Sequence, residues 1–398
     1  MFSKNKSLPA YIYLYVLCQS INLTAAVISV TVAATIGDLI APTKSLATLP
    51  YGTQFLCLLL ATYPIAILME KKGRKAGFYI GAAFLALSGL VGFWAVSKAS
   101  FIGLIVAHGL LGTFTACANY YRFAAVDNLN NEVKSKALSL VVAGGLLAGI
   151  IGPMISTYTR DVQGFQLFSW SYGVLILLSL FNVLLLLFIP QRSKNKQVQK
   201  ESDKQFPLKK TQTNQSYIIF AIMSAAVGCG LMNLIMIQSS LQMHDMGIEF
   251  DHSASAIQWH VVAMFVPSFL SGFLISKLGH KTLVSVGFIL FLAVFIINVT
   301  SIAYSSIFVS LIVLGLAWNF CYVGGSSYLA ILVSSGSDGK RWQGLGDTAI
   351  AVLAMLGAML PAVFSSTIGW KGSNYLCLFI ALLCLSVSVF LMFAKRKN

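Results

Sequence analysis

Long apolar runs alternate with short polar breaks along the whole chain, and the runs are near or above the roughly 20 residues that a helix needs to cross a hydrocarbon core. None shows the short apolar–polar alternation of an outer-membrane barrel. The pattern predicts twelve membrane-spanning helices, at 9–36, 46–69, 76–97, 101–125, 137–158, 168–189, 217–241, 253–275, 282–303, 306–333, 342–366 and 374–394. A Lys-rich hydrophilic stretch after Ile189 divides them. The expected fold is therefore an all-α membrane protein of two pseudo-symmetric six-helix bundles, 1–190 and 217–398, joined by a linker at 191–216. The first apolar run is too long for a signal-peptide core and lacks a clear cleavage site, so it reads as an uncleaved helix.

Two of the polar breaks are alike. Ala66 to Lys75 and Gly272 to Lys281 both run small residue, three apolar, acid or polar, base, any, Gly, base, base, at an offset of 206 residues. Each glycine supplies a tight turn that no side chain blocks. The second copy has Ser276 for the acid and His280 for a base, so a charge-based role belongs more to the first. Prolines pair as well, Pro64 with Pro267 and Pro153 with Pro361, at offsets of 203 and 208. Proline kinks a membrane helix and frees a carbonyl, and matched kinks suit two halves that rock about a central cavity.

Composition excludes a water-soluble globule: 57% of residues are hydrophobic, 10% are charged, and the mean hydropathy is +0.81. The net charge of +15 raises the question of nucleic acid, which the positions of the bases answer. Of 27 Lys and Arg, 22 fall on the side of the termini, four (Lys44, Lys98, Arg160, Lys371) on the other, and Arg122 inside a span. That asymmetry places both termini in the cytoplasm and explains the basic pI without nucleic acid. All seven Cys lie within apolar runs as packing residues. There is no Walker A sequence, metal-ligand array or nucleophile elbow, so no enzyme activity, cofactor or metal is expected.

The two repeated breaks resemble the loops between helices 2 and 3 and between helices 8 and 9 of the major facilitator superfamily of transporters, with Ala66 for the usual Gly and Glu70 for the usual Asp. The resemblance runs the whole chain. It implies a cavity lined by helices 1, 4, 7 and 10, each of which here carries an amide: Asn22, Asn119, Asn233 and Asn319. An amide in hydrocarbon is costly without a partner, so these face either the cavity or neighbouring helices as packing glue. With Gln19, Thr24, Tyr120, Tyr121, His260, Trp318, Phe320 and Tyr322 they would suit a flat polar solute. The runs Tyr120 to Asp127, Gln258-Trp259-His260 leading to Met264 and Phe269, and Trp318-Asn319 with Gly324-Gly325 resemble one bacterial branch of the family. That branch includes riboflavin uptake permeases, alongside similar permeases for carboxylate siderophores. Gly144 to Pro153 resembles part of an exporter motif, but Ser156-Thr157 stands where its closing glycines belong.

Ionisable groups inside spans are functional candidates because burying them unpaired is expensive. His108 and His260 are candidates for proton coupling, since histidine exchanges protons near neutral pH; satisfied structural histidines are the alternative. His108 stands where the family usually has an Arg. Arg122, about 31 Å along its helix, lies near the cytoplasmic face, where it snorkels or pairs with Asp127, or else serves an inner gate or anchors an anionic substrate group. Asp347 starts the eleventh span, where the helix dipole favours a carboxylate. In the family the acid of the first loop contacts that helix start, which implies a cytoplasmic gate of Glu70, Gly73, Arg74, Arg122, Asp127 and Asp347.

The sequence thus reads as a secondary active transporter of the bacterial inner membrane, a monomer among lipids that takes up a small polar organic solute with protons. An efflux antiporter for drugs or metabolites is the alternative, and a non-transporting membrane sensor a remote one.

Overall fold

In lipid a backbone satisfies its hydrogen bonds internally only as a helix or a closed barrel, and apolar runs of this length select the helix. The computed structural model describes residues 8–126, 129, 131–190, 215–333 and 337–393, and every regular element among them is helical. An N-terminal group comprises α1 (Tyr11–Ile40), a short 3-10 turn (Lys44–Leu46), α2 (Leu49–Lys72), α3 (Arg74–Ser97), α4 (Phe101–Ala118), α5 (Tyr121–Val126), α6 (Asn131–Tyr158) and α7 (Ser169–Phe188). A C-terminal group follows: α8 (Gln215–Asp245), α9 (Phe250–Phe265), α10 (Ser268–Leu278), α11 (His280–Thr300), α12 (Tyr304–Leu332), α13 (Ser337–Met359), α14 (Pro361–Thr367) and α15 (Gly369–Phe393). Most of the expected linker, and Asp127, lie outside the described residues.

Among the described residues ten helical segments are long and apolar enough to span a membrane, and α13 with α14, bent by 44°, makes an eleventh. The expected fifth span falls in α6, whose apolar part, Ala143–Tyr158, is shorter. Large apolar side chains such as Leu187, Phe390 and Phe393 remain exposed, as a surface facing lipid requires.

The paired prolines act differently in the two groups. Pro64 and Pro153 sit inside continuous helices, whereas Pro267 separates α9 from α10 and Pro361 opens α14 after a break. The paired glycine turns are alike: Gly73 has φ 88° and ψ 160°, Gly279 φ 80° and ψ 160°. That backbone region is essentially reserved for glycine.

Glycines of α6 make a close-packing face. A Cβ on Gly144 would meet the Val16 carbonyl oxygen and the Ser20 side chain of α1, and one on Gly149 would meet Val261 of α9. α6 therefore packs between α1 of its own group and α9 of the other, the association mode that small residues give in membranes.

The two groups are clasped at the end where α1 and α8 terminate, here the Asp38 end. Lys44 pairs with Asp245 at 3.7 Å, His244 with Asp38 at 3.4 Å and Arg160 with Asp251 at 3.1 Å. The Thr48 hydroxyl donates to the Met359 carbonyl at 2.9 Å. Phe168, a non-glycine residue at φ 65°, sets its ring 5.0 Å from that of Phe250. At the opposite, Gly73 end, Arg341, Gln343, Leu345 and Asp347 of α13 are exposed. The structure is shut at the Asp38 end.

Candidate functional site

α1 and α8 pack against each other and bury many polar side chains. α1 buries Gln19, Ser20, Asn22, Thr24, Ser29 and Thr31, and α8 buries Ser224, Asn233, Gln238, Ser239 and Ser240. Several hold helices together. Ser20 donates to the Gly144 carbonyl at 3.1 Å, Asn233 Nδ2 to the Ala354 carbonyl at 3.2 Å, and Gln238 Nε2 to Ser373 Oγ at 2.8 Å. Others have no protein partner: Gln19 Oε1, both amide atoms of Asn22, Gln238 Oε1, and the hydroxyls of Ser239 and Ser240. A buried unpaired polar group costs about 1–3 kcal/mol, so such groups mark places where water or a solute completes the bonding. Asn22, 1% exposed with donor and acceptor both open, is the sharpest case.

The two candidate histidines differ. His108 of α4 is fully buried within the N-terminal group: Nδ1 lies 3.2 Å from Gln54 Oε1 and 3.3 Å from Ser29 Oγ, and Nε2 lies 2.8 Å from the Tyr172 hydroxyl. Ser29 also donates to Gln54 Oε1 at 2.7 Å. A neutral ring with Nδ1–H donating to Gln54 and Nε2 accepting from Tyr172 satisfies every member. His260 of α9 is equally buried, but only Nδ1 is engaged, donating to the Leu311 carbonyl at 2.7 Å. Its Nε2 has no partner.

Asn319 of α12 is fully engaged. Its Nδ2 donates to the Met264 carbonyl at 2.7 Å and to Ser268 Oγ at 2.6 Å, and its Oδ1 accepts from Ser271 Oγ at 2.9 Å. Those partners flank Pro267, where α9 gives way to α10 and carbonyls lose their helical donors. The amide braces that break.

From the same helix an aromatic column leads toward the Gly73 end. Trp318 stands 6.3 Å from Phe265 and stacks on Tyr322 at 5.0 Å with 8° between the ring planes. The Arg122 guanidinium acts electrostatically on the Tyr322 hydroxyl, while its Nε is buried without a partner. Arg122 is also the charge that acts on Asp347 of α13. Tyr120, in the break between α4 and α5, takes Arg74 over its ring at 5.4 Å. Four helices thus converge on one basic, aromatic patch that joins the two groups.

Residues 15–237, more than half of the chain, match the family model of the Major Facilitator Superfamily. The chain belongs to the Major Facilitator Superfamily. It is 28% identical over 368 residues to the riboflavin transporter RfnT of Brucella anthropi, covering 92% of this chain and 91% of that one. It is 24% identical over 369 residues to the uncharacterised MFS-type transporter YdeG of Bacillus subtilis, covering 88% and 83%. Among solved structures it resembles the D-xylose–proton symporter (TM-score 0.71, 13% identity, 94% of this chain and 97% of that). It also resembles the nucleoside transporter NupG (TM-score 0.66, 15% identity, 98% and 100%). The protein is a multi-pass membrane transporter of this superfamily.

Seen as a superfamily member, the chain brings part of the expected site together. Trp318, Tyr120, Arg74, Arg122 and Asp347 share the patch just described, and Gly73 forms the adjoining turn beside an exposed Glu70. Asn22 is buried with open valences, whereas Asn233 and Asn319 bind neighbouring helices; Asn119 caps α4 at its break. Sequence reasoning passed over Gln238-Ser239-Ser240 and Gln54. The first three stand as a polar triplet inside an apolar run, a signal that was available; Gln54 is isolated, and only its bonds to Ser29 and His108 reveal it.

Proposed function

We propose that this transporter takes up a small, flat, polar organic solute across a bacterial inner membrane by alternating access of two six-helix halves, with the Gly73 end in the cytoplasm. Asn22 carries the proposal. Its amide offers one donor and one acceptor side by side, which complements the paired carbonyl and N–H of a ring imide or amide. The Trp318–Tyr322 stack supplies an aromatic face for the rest of such a ring. A riboflavin transporter with 28% identity across nearly the whole chain makes a flavin the first solute to test. The protein works as a monomer, with the solute, protons and lipid as its partners.

His260 takes the coupling proton. Its Nδ1–H is held by the Leu311 carbonyl and its Nε2 is free to accept, whereas both His108 nitrogens are already bonded within one group. The glycines of α6, on which an efflux reading rests, serve as packing surfaces against α1 and α9.

The test is thermal stabilisation of the purified protein by riboflavin, since ligand that binds only the folded state raises its apparent stability. Riboflavin should stabilise the wild-type protein, and Asn22→Ala should abolish the shift while leaving the ligand-free transition near its original temperature. Stabilisation by several unrelated lipophilic cations, with none from riboflavin, would overturn the proposal. In vesicles, His260→Gln should uncouple uptake from the proton gradient.

A further inference from the structure

Asp38 and His244 occupy matching places. Asp38 stands two residues before the end of α1 and His244 one before the end of α8, separated by the same 206 residues that separate Gly73 from Gly279. Because α1 and α8 pack against each other, their matching ends meet, and the sequence positions alone give no metal spacing. The acceptor atoms of Asp38, His244 and Asp245 all lie within 4.8 Å of one another. His244 Nδ1 and Asp38 Oδ2 are already 3.4 Å apart, close to the roughly 3.3–3.5 Å between donors that tetrahedral bonds of about 2.0–2.1 Å require. The third donor, Asp245, is half exposed at a helix end and paired with Lys44 at 3.7 Å. Two helix C-termini converge there, and their dipoles favour a cation.

We propose that Asp38, His244 and Asp245 form a binding site for a divalent transition cation of the zinc type. One imidazole nitrogen and two carboxylate oxygens with room for water suit Zn²⁺, Ni²⁺ or Co²⁺; Mg²⁺ and Ca²⁺ demand more oxygens. One ligand comes from the N-terminal group and two from the C-terminal group. The site is therefore complete only while the Asp38 end is shut, and the bound cation staples that state. Lys44 is the built-in competitor, since its ammonium holds the Asp245 carboxylate that the metal would take. The consequence for transport rests on the alternating-access reading above: Zn²⁺ on the Asp38 side slows turnover. The binding itself does not depend on that reading.

The test uses the purified full-length protein with no organic solute present and ZnCl2 as the probe, reading thermal stability and Zn²⁺ affinity against a MgCl2 control. Zn²⁺ should stabilise the wild-type protein. His244→Ala and Asp38→Asn should each weaken Zn²⁺ by about tenfold or more, at least what loss of an outer-shell partner costs. Lys44→Gln should tighten it, a gain that no misfolded variant mimics. A Zn²⁺ shift that survives His244→Ala, or a Lys44→Gln variant with unchanged affinity, would overturn the proposal. A protein that carried some other solute would still pass this test, so failure here and failure of the flavin reading are separable.

Discussion

Gly52 of α2 faces Met359, the last residue of α13, across the clasp between the two groups. A Cβ built on Gly52 would lie 2.0 Å from Met359 Cγ and 3.1 Å from Met359 Cα, where ordinary contact begins at 3.4 Å. The Met359 side chain can swing aside, but its Cα moves only if α13 does. Gly52→Ala therefore asks for a shift of a few tenths of an ångström, and Gly52→Val, with two further methyls, forces the helices apart and strains the Thr48 bond to the Met359 carbonyl. Overpacking of this kind costs about 1–3 kcal/mol. If the Asp38 end opens during transport, that penalty falls on the shut state alone and shifts the equilibrium roughly 5- to 150-fold toward the open one. Spin labels on cysteines placed at Gln163 and Lys371 report the Asp38 end, and a pair at Lys72 and Gln343 the Gly73 end. In Gly52→Val the first distance should lengthen and the second shorten. Gly112→Val is the control, because its Cβ would meet the Gln54 carbonyl oxygen at 2.0 Å inside one group; it should lower stability without moving either distance. A folded Gly52→Val protein with unchanged distances, or one in which both ends widen, would refute the reasoning.

Three further outcomes follow from individual contacts. Asn319→Leu removes three hydrogen bonds at the Pro267 break; at about 0.6 kcal/mol each in a membrane protein, it should lower unfolding stability by about 2 kcal/mol in a mild-detergent denaturation series. His108→Leu orphans the Tyr172 hydroxyl while Gln54 Oε1 keeps its bond from Ser29, so it should destabilise by about 1–3 kcal/mol yet leave the pH profile of transport where it was. A displaced profile would instead make His108 the coupling group. Gly73→Ala places a side chain at φ 88° in open space, so it should lose about 1–3 kcal/mol through backbone strain alone, with Gly279→Ala giving a similar thermal shift.

Much of the architecture is legible in the order of residues because lipid leaves the backbone little choice: the apolar runs became helical, those at 101–125, 253–275 and 342–366 as two helices each, and the repeated Gly turns adopt nearly the same backbone angles. The polar residues are different. Asn22, Asn233 and Asn319 look alike in sequence, each the one Asn in its apolar run, and nothing local says which is used up. Asn319 is consumed because a proline 52 residues away breaks α9 and leaves a carbonyl to be capped. Asn233 finds the Ala354 carbonyl on α13, and Asn22 finds nothing. The same reason hides the Asp38 clasp. Asp38, Lys44, His244 and Asp245 read as ordinary polar residues at helix ends, and only the packing of α1 on α8 turns them into a network. A buried polar residue in a membrane helix therefore signals that a partner exists, but the partner's nature, another helix or a transported solute, is a property of the three-dimensional neighbourhood. Asn22 acquires functional weight here because its neighbours decline both of its hydrogen bonds while Asn233 and Asn319 bond to neighbouring helices.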